Sequence, residues 1–78
     1  MIKIPVYLRD IYDAKHLVQA ASGCIKDVDL ICGRYIVDAK SMLGVFSLPS
    51  FDGVELGVEE SDEEKLRKTL ESLRLIRE

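Results

Sequence analysis

The stretch DVDLICGRYIVDA, residues 27–39, constrains the fold more than any other, because two runs of period-two residues meet across Gly33-Arg34. A two-residue connection with glycine first suits a tight hairpin turn, since glycine enters the left-handed backbone region without a side-chain clash. Such a turn sets Cys32 opposite Tyr35, Ile31 opposite Ile36 and Leu30 opposite Val37. Side chains alternate faces along a strand, so Ile31 and Ile36 fall on the face opposite Leu30 and Val37. If helices pack on the second pair, the isoleucines stay outside. They then serve either as ordinary surface aliphatics or as a contact between two copies of the chain.

The other elements follow from period and punctuation. IKIPVYLR (residues 2–9) alternates Ile2, Ile4, Val6 and Leu8 against Lys3, Pro5, Tyr7 and Arg9, the period of a half-buried strand. Pro5 has no amide hydrogen to give to a ladder, so this strand should lie at a sheet edge or begin raggedly. Residues 10–24 put Ile11, Ala14, Leu17 or Val18, Ala21 and Cys24 at helical spacing. Asp10 caps that helix, Asp13 adds negative charge to its first turn, and Gly23 fits its end. SMLGVFSLPS (residues 41–50) is a short helix with Ser41 in the capping position and Pro49 as its stop. GVELGVEE (residues 53–60) alternates Val54, Leu56 and Val58 as a further strand. In the last helix Ser61 and Glu64 form a capping box, and Leu66, Leu70, Leu73 and Ile76 make the apolar stripe. The order is β-α-β-β-α-β-α, and one-face alternation in the strands predicts an α+β open-faced sandwich. Its four-stranded antiparallel sheet is covered on one face by three helices.

Seventy-eight residues, 47% apolar and 32% charged, make a single globular domain over residues 1–78. A formal net charge of −3 with no basic stripe argues against nucleic acid as a direct partner. No N-terminal apolar run marks a secretory signal, and no segment approaches the ~20 apolar residues of a membrane span. Cys24 and Cys32 are too few for a disulfide scaffold and too far apart for a CxxC motif, and with one histidine no zinc site is complete. Both thiols are read as reduced and partly buried in a cytoplasmic protein. Neither a metal nor a cofactor is implied. Asp38, Glu59, Glu60, Asp62 and Glu63 make no acid/base dyad, and the acids before the last helix read as a solvated start favoured by its dipole. His16, between Lys15 and Leu17, reads as an ordinary helix residue.

Three blocks carry a resemblance to a known family: LVQAAS (residues 17–22), DVDL (residues 27–30) and VDAKSMLGVFSL (residues 37–48). They resemble the first helix, second strand and regulatory-serine helix of the HPr phosphocarrier proteins of the bacterial sugar phosphotransferase system. The spacing between the blocks matches that family without gaps, and the element order is the family's. HPr proteins carry phosphate on a histidine in a G-[IL]-H-x-R-P block at the start of the first helix. Counted back from LVQAAS, the histidine position holds Asp10, the arginine position Tyr12 and the proline position Asp13. An imidazole accepts phosphoryl because its neutral nitrogen is nucleophilic near pH 7, whereas two carboxylates repel the incoming anion. No catalytic residue is therefore assigned.

The resemblance implies a divergent member of the catabolite repression HPr type, which lacks the phosphocarrier histidine and keeps the serine. By that resemblance Ser41 is the regulatory phosphorylation site for an HPr kinase/phosphorylase. Lys40, Met42, Leu43 and Phe46 become the partner-binding patch, Leu43 and Phe46 being the ones expected to stay exposed. The implied partners are that kinase, a transcriptional regulator of carbon catabolism and enzymes of the phosphotransferase system; no membrane is involved. Two alternatives stay open: a working phosphocarrier using His16 or Asp10, and an interaction module that dimerises through Ile31 and Ile36 with Ser41 acting only as a cap.

Overall fold

The structure is a computed structural model and describes residues 1–77. Its elements are β1 (Ile2–Pro5), α1 (Ile11–Ser22), β2 (Asp29–Cys32), β3 (Tyr35–Asp38), α2 (Met42–Phe46), β4 (Glu55–Val58) and α3 (Glu60–Ser72). The strands form one sheet in the order β1-β4-β2-β3, with every neighbouring pair antiparallel. This is the open-faced sandwich expected from the alternation. Ile4, Leu56, Leu30 and Val37 make a cross-strand row on the covered face, where Ala14, Leu17, Ala21, Val45, Leu66 and Leu70 from the helices pack on it. The opposite face carries Ile31 and Ile36, the latter 64% exposed.

The hairpin has the register that its turn dictates: Cys32 pairs with Tyr35, Ile31 with Ile36 and Leu30 with Val37. Of the two turn residues only Gly33 has a positive φ (58°), as a turn with glycine first requires. Pro5 lies on an edge strand. The Val6 amide donates to Val54 O at 3.1 Å, so by alternation the nitrogen of Pro5 points away from β4 and costs the ladder nothing. The residues after α3 run along this outer edge. Tyr7 N donates to Leu75 O (2.7 Å), Arg77 N donates to Pro5 O (3.0 Å), and Val6 bridges to Ile76.

Several expectations need correction. The capping box of Ser61 and Glu64 does not form, because α3 begins two residues earlier than that motif requires, at Glu60. Its capping residue is Glu59, which makes no side-chain cap bond. Ile76 is not on the helical stripe. The helix stops at Ser72, and Ile76 lies on the strand-like segment beside β1. α3 ends in a left-handed turn at Arg74 (φ 59°), closed by Leu75 N to Leu70 O and Arg74 N to Glu71 O, both 3.0 Å. That pattern places Leu75 against Leu70, and both are fully buried. Ile11 is not part of the buried face of α1 either, being 58% exposed. α2 ends at Phe46, before Pro49 is reached, with Ser47 capping the last carbonyls.

One interaction was invisible in the sequence. Asp62, buried in the first turn of α3, accepts from Ile25 N (3.1 Å) and Lys26 N (2.9 Å), clamping the loop that follows α1. The Lys26 amide, then the Ile25 amide, hold its carboxyl below the ordinary carboxylate range, helped by the charges of Lys40 and Lys26 and against the opposing effect of burial.

Two outcomes follow. A non-glycine residue in the left-handed region costs roughly 1–2 kcal/mol. Arg74→Gly is therefore expected to raise unfolding free energy by about 1 kcal/mol in urea denaturation, since the turn bonds are all backbone. A carboxyl lowered by folding contributes stability above its unfolded value near 4 and loses that contribution as pH falls through the lower folded value. Asp62→Asn should thus be less stable than the parent at pH 7, with the gap closing below about pH 4 in thermal melts.

Candidate functional site

The two helix starts that the sequence singles out are built differently. Asp10 takes an extended backbone and its Oδ1 accepts from the Asp13 amide at 2.9 Å, which satisfies one of the free amides of α1. Asp13 reaches the other way: its Oδ2 accepts from both Arg9 N and Arg9 Nε at 2.9 Å. The Arg9 guanidinium also donates to Arg74 O at 2.9 Å and lies 5.8 Å from the centre of the Tyr7 ring. The first turn of α1 is therefore closed by two acids and one arginine. Partial burial pushes the Asp13 carboxyl up, but the Arg9 amide and guanidinium, with His16 assisting, outweigh it and hold the group below its ordinary value. Tyr12 is 65% exposed and His16 is exposed on the second turn.

At α2, Ser41 is extended (φ −109°) and its Oγ accepts from the Gly44 amide at 3.1 Å. A Cβ at position 44 would lie 3.4 Å from Asp38 O, at the near edge of ordinary van der Waals contact. The helix is only five residues long, which leaves it little dipole to offer an anion. Lys40 does not point its charge at Ser41. Its Nζ donates to Cys24 O at 3.0 Å, which helps tie the start of α2 to the end of α1. The Lys40 amide donates to Asp38 Oδ1 at 2.9 Å. Of the apolar residues that follow, Val45 is buried, Met42 is half-buried against the core, Leu43 is 86% exposed and Phe46 42%.

Cys24 and Cys32 are free and half-buried. Burial, then the charge of Asp62, pushes the Cys24 thiol up, so it is not a reactive thiolate. Among the described residues no group of three or more His, Cys, Asp or Glu side chains could hold a metal ion, and no helix is long and apolar enough to cross a membrane.

No family model matches the chain, and no curated protein proves similar to it. A solved structure does: HPr-C-His from Thermoanaerobacter tengcongensis aligns with a TM-score of 0.74 and 29% identity, over 94% of this chain and 90% of that one. The fold is HPr-like. In this fold Asp10 and Ser41 each head a helix on the covered side of the sheet, and α1 packs against α2.

Replacing a carboxylate or amide cap by alanine typically costs about 1 kcal/mol, whereas asparagine caps as well as aspartate. Asp10→Ala should therefore lower unfolding free energy by about 1 kcal/mol and Asp10→Asn by far less, as read by urea denaturation.

Proposed function

We propose that this chain is an HPr-like regulatory binding protein of the bacterial sugar phosphotransferase system, switched by phosphorylation of Ser41 and not itself a phosphocarrier. The observation that carries the reading is the closed first turn of α1. Asp10 accepts from the Asp13 amide, and Asp13 from the Arg9 amide and guanidinium. By the resemblance, the position at which an HPr carries phosphoryl on histidine falls on Asp10, with a second acid three residues on. Phosphoryl arriving there meets like charge and neither an imidazole nor a free arginine. His16 is exposed in mid-helix, away from the free amides at the start of α1.

Ser41 fits the other role. A phosphoryl group on its Oγ adds about −1.5 to −2 charges beside exposed Leu43 and Phe46. That change favours a partner bearing arginine or lysine and disfavours one bearing acids. The modifying enzyme in this reading is an HPr kinase/phosphorylase in the cytoplasm. The reader of the modified form is a transcriptional regulator of carbon catabolism, contacting Lys40, Met42, Leu43 and Phe46.

Incubation with ATP and an HPr kinase is expected to give one acid-stable phosphate, lost in Ser41→Ala. Incubation with phosphoenolpyruvate and the first enzyme of the phosphotransferase system should give no acid-labile label. Acid-labile label that disappears in His16→Ala or Asp10→Ala would sink the proposal in favour of a phosphocarrier, and a kinase that leaves Ser41 unmodified would remove the switch.

A further inference from the structure

The two edges of the sheet are finished differently. At β1, Pro5 and the segment after α3 close the edge, with Tyr7 N donating to Leu75 O and Arg77 N to Pro5 O. At β3 the edge stays open, since β2 is its one neighbour in the sheet. The register shows which groups β3 leaves free. The Ala39 amide donates to Val28 O at 2.8 Å, which continues the ladder past the Leu30–Val37 pair. Tyr35, Val37 and Ala39 therefore turn their amides toward β2, and Ile36 and Asp38 turn theirs outward. Among the described residues no carbonyl outside the ladder accepts from either amide.

An open edge accepts any extended chain, so the side chains along it decide the occupant. Charges usually blunt such an edge, but on β3 they are spaced to suit a second copy of the same strand. Arg34 lies in the turn two residues before Ile36, and Asp38 lies two residues after it. Antiparallel pairing about a two-fold axis between the two Ile36 residues sets Arg34 of each copy beside Asp38 of the other. It also sets Ile36 against Ile36 and Tyr35 against Val37, an aliphatic pair and two aromatic–aliphatic pairs. Moving the axis to Val37 puts Arg34 against Lys40, and moving it to Asp38 puts two carboxylates together. Only the register through Ile36 matches opposite charges within β3.

The charges themselves lack partners inside one chain. Asp38 sits directly opposite Asp29 on β2, a like-charge pair that destabilises a ladder. Neither acid, nor Arg34, has an ion pair among the described residues. Lys40, two residues along, gives Asp38 only its amide and spends its ammonium on Cys24 O. A second copy brings the missing cation. We infer that β3 pairs edge to edge with β3 of a second copy of this chain, Ile36 against Ile36, with Arg34 and Asp38 as reciprocal ion pairs. Such exposed ion pairs add little affinity, but they choose the register and exclude mismatched partners.

An interface built on one short strand lies below about 1,200 Å², so the full chain should dimerise reversibly at roughly 0.1–1 mM in sedimentation equilibrium. Amide shifts on dilution of nitrogen-15-labelled protein should centre on Ile36 and Asp38. Arg34→Glu alone and Asp38→Lys alone each set like charges together, and each should weaken self-association by about tenfold or more. An equimolar mixture of the two should dimerise again, because a mixed pair has Glu beside Lys at one end and Arg beside Asp at the other. Ile36→Pro removes an amide that the second copy needs and β2 does not, so it should give a folded monomer whatever Asp38→Lys does to the start of α2. A parent chain that stays monomeric at about 2 mM, as an edge reserved for a foreign segment would leave it, overturns the inference. So does a dimer indifferent to Ile36→Pro, or a mixture of the two folded charge variants no more associated than either alone. None of these outcomes bears on whether Ser41 is phosphorylated.

Discussion

The sheet buries one face and only one. Because Ile4, Leu56, Leu30 and Val37 align in one cross-strand row and Lys3, Gly57, Asp29 and Asp38 in the next, the apolar layer has a single side on which helices can pack. All three helices follow from that constraint. The ends of the helices, and not the sheet, are then where polar chemistry can gather. The molecule treats its three helix starts differently: a carboxylate caps α1, a hydroxyl caps α2, and α3 begins without a side-chain cap.

The chemical difference between the first two starts organises the functional reading. Both Asp10 and Ser41 accept a hydrogen bond from the amide three residues on, at 2.9 and 3.1 Å. As caps they are nearly interchangeable. As reactive groups they are not. The carboxylate is already charged and flanked by a second one that grips Arg9, whereas the hydroxyl is neutral, partly accessible and next to exposed Leu43. Adding phosphate to the second changes the charge beside exposed Leu43 and Phe46 at the cost of one cap bond, and adding it to the first sets anion against anion.

What the sequence made legible was whatever local chemistry decides. The β2–β3 register could be read residue by residue, because glycine-first turns and period-two alternation leave one pairing. Asp10 and Ser41 as caps were legible for the same reason, each bonding an amide three residues away. The misses are tertiary. The Ser61–Glu64 motif yields because Asp62, between them, is drawn to amides 36 and 37 residues earlier in the chain. The end of α3 is set by Leu75 packing against Leu70 and by the edge of β1, which no helical period announces. Lys40, read as an ally of a phosphorylated serine, instead binds Cys24 O, a partner that only the packing of α1 on α2 supplies.

The central claim is that Ser41, and not the start of α1, is where this molecule is switched. Phosphosite mapping on protein recovered from its own cells, run in parallel at neutral pH and after acid treatment, tests it most directly. The account predicts a single acid-stable phosphate on Ser41 in some growth conditions and an otherwise unmodified chain. An acid-labile phosphoryl group on His16, or a hydroxylamine-sensitive one on Asp10, would contradict it.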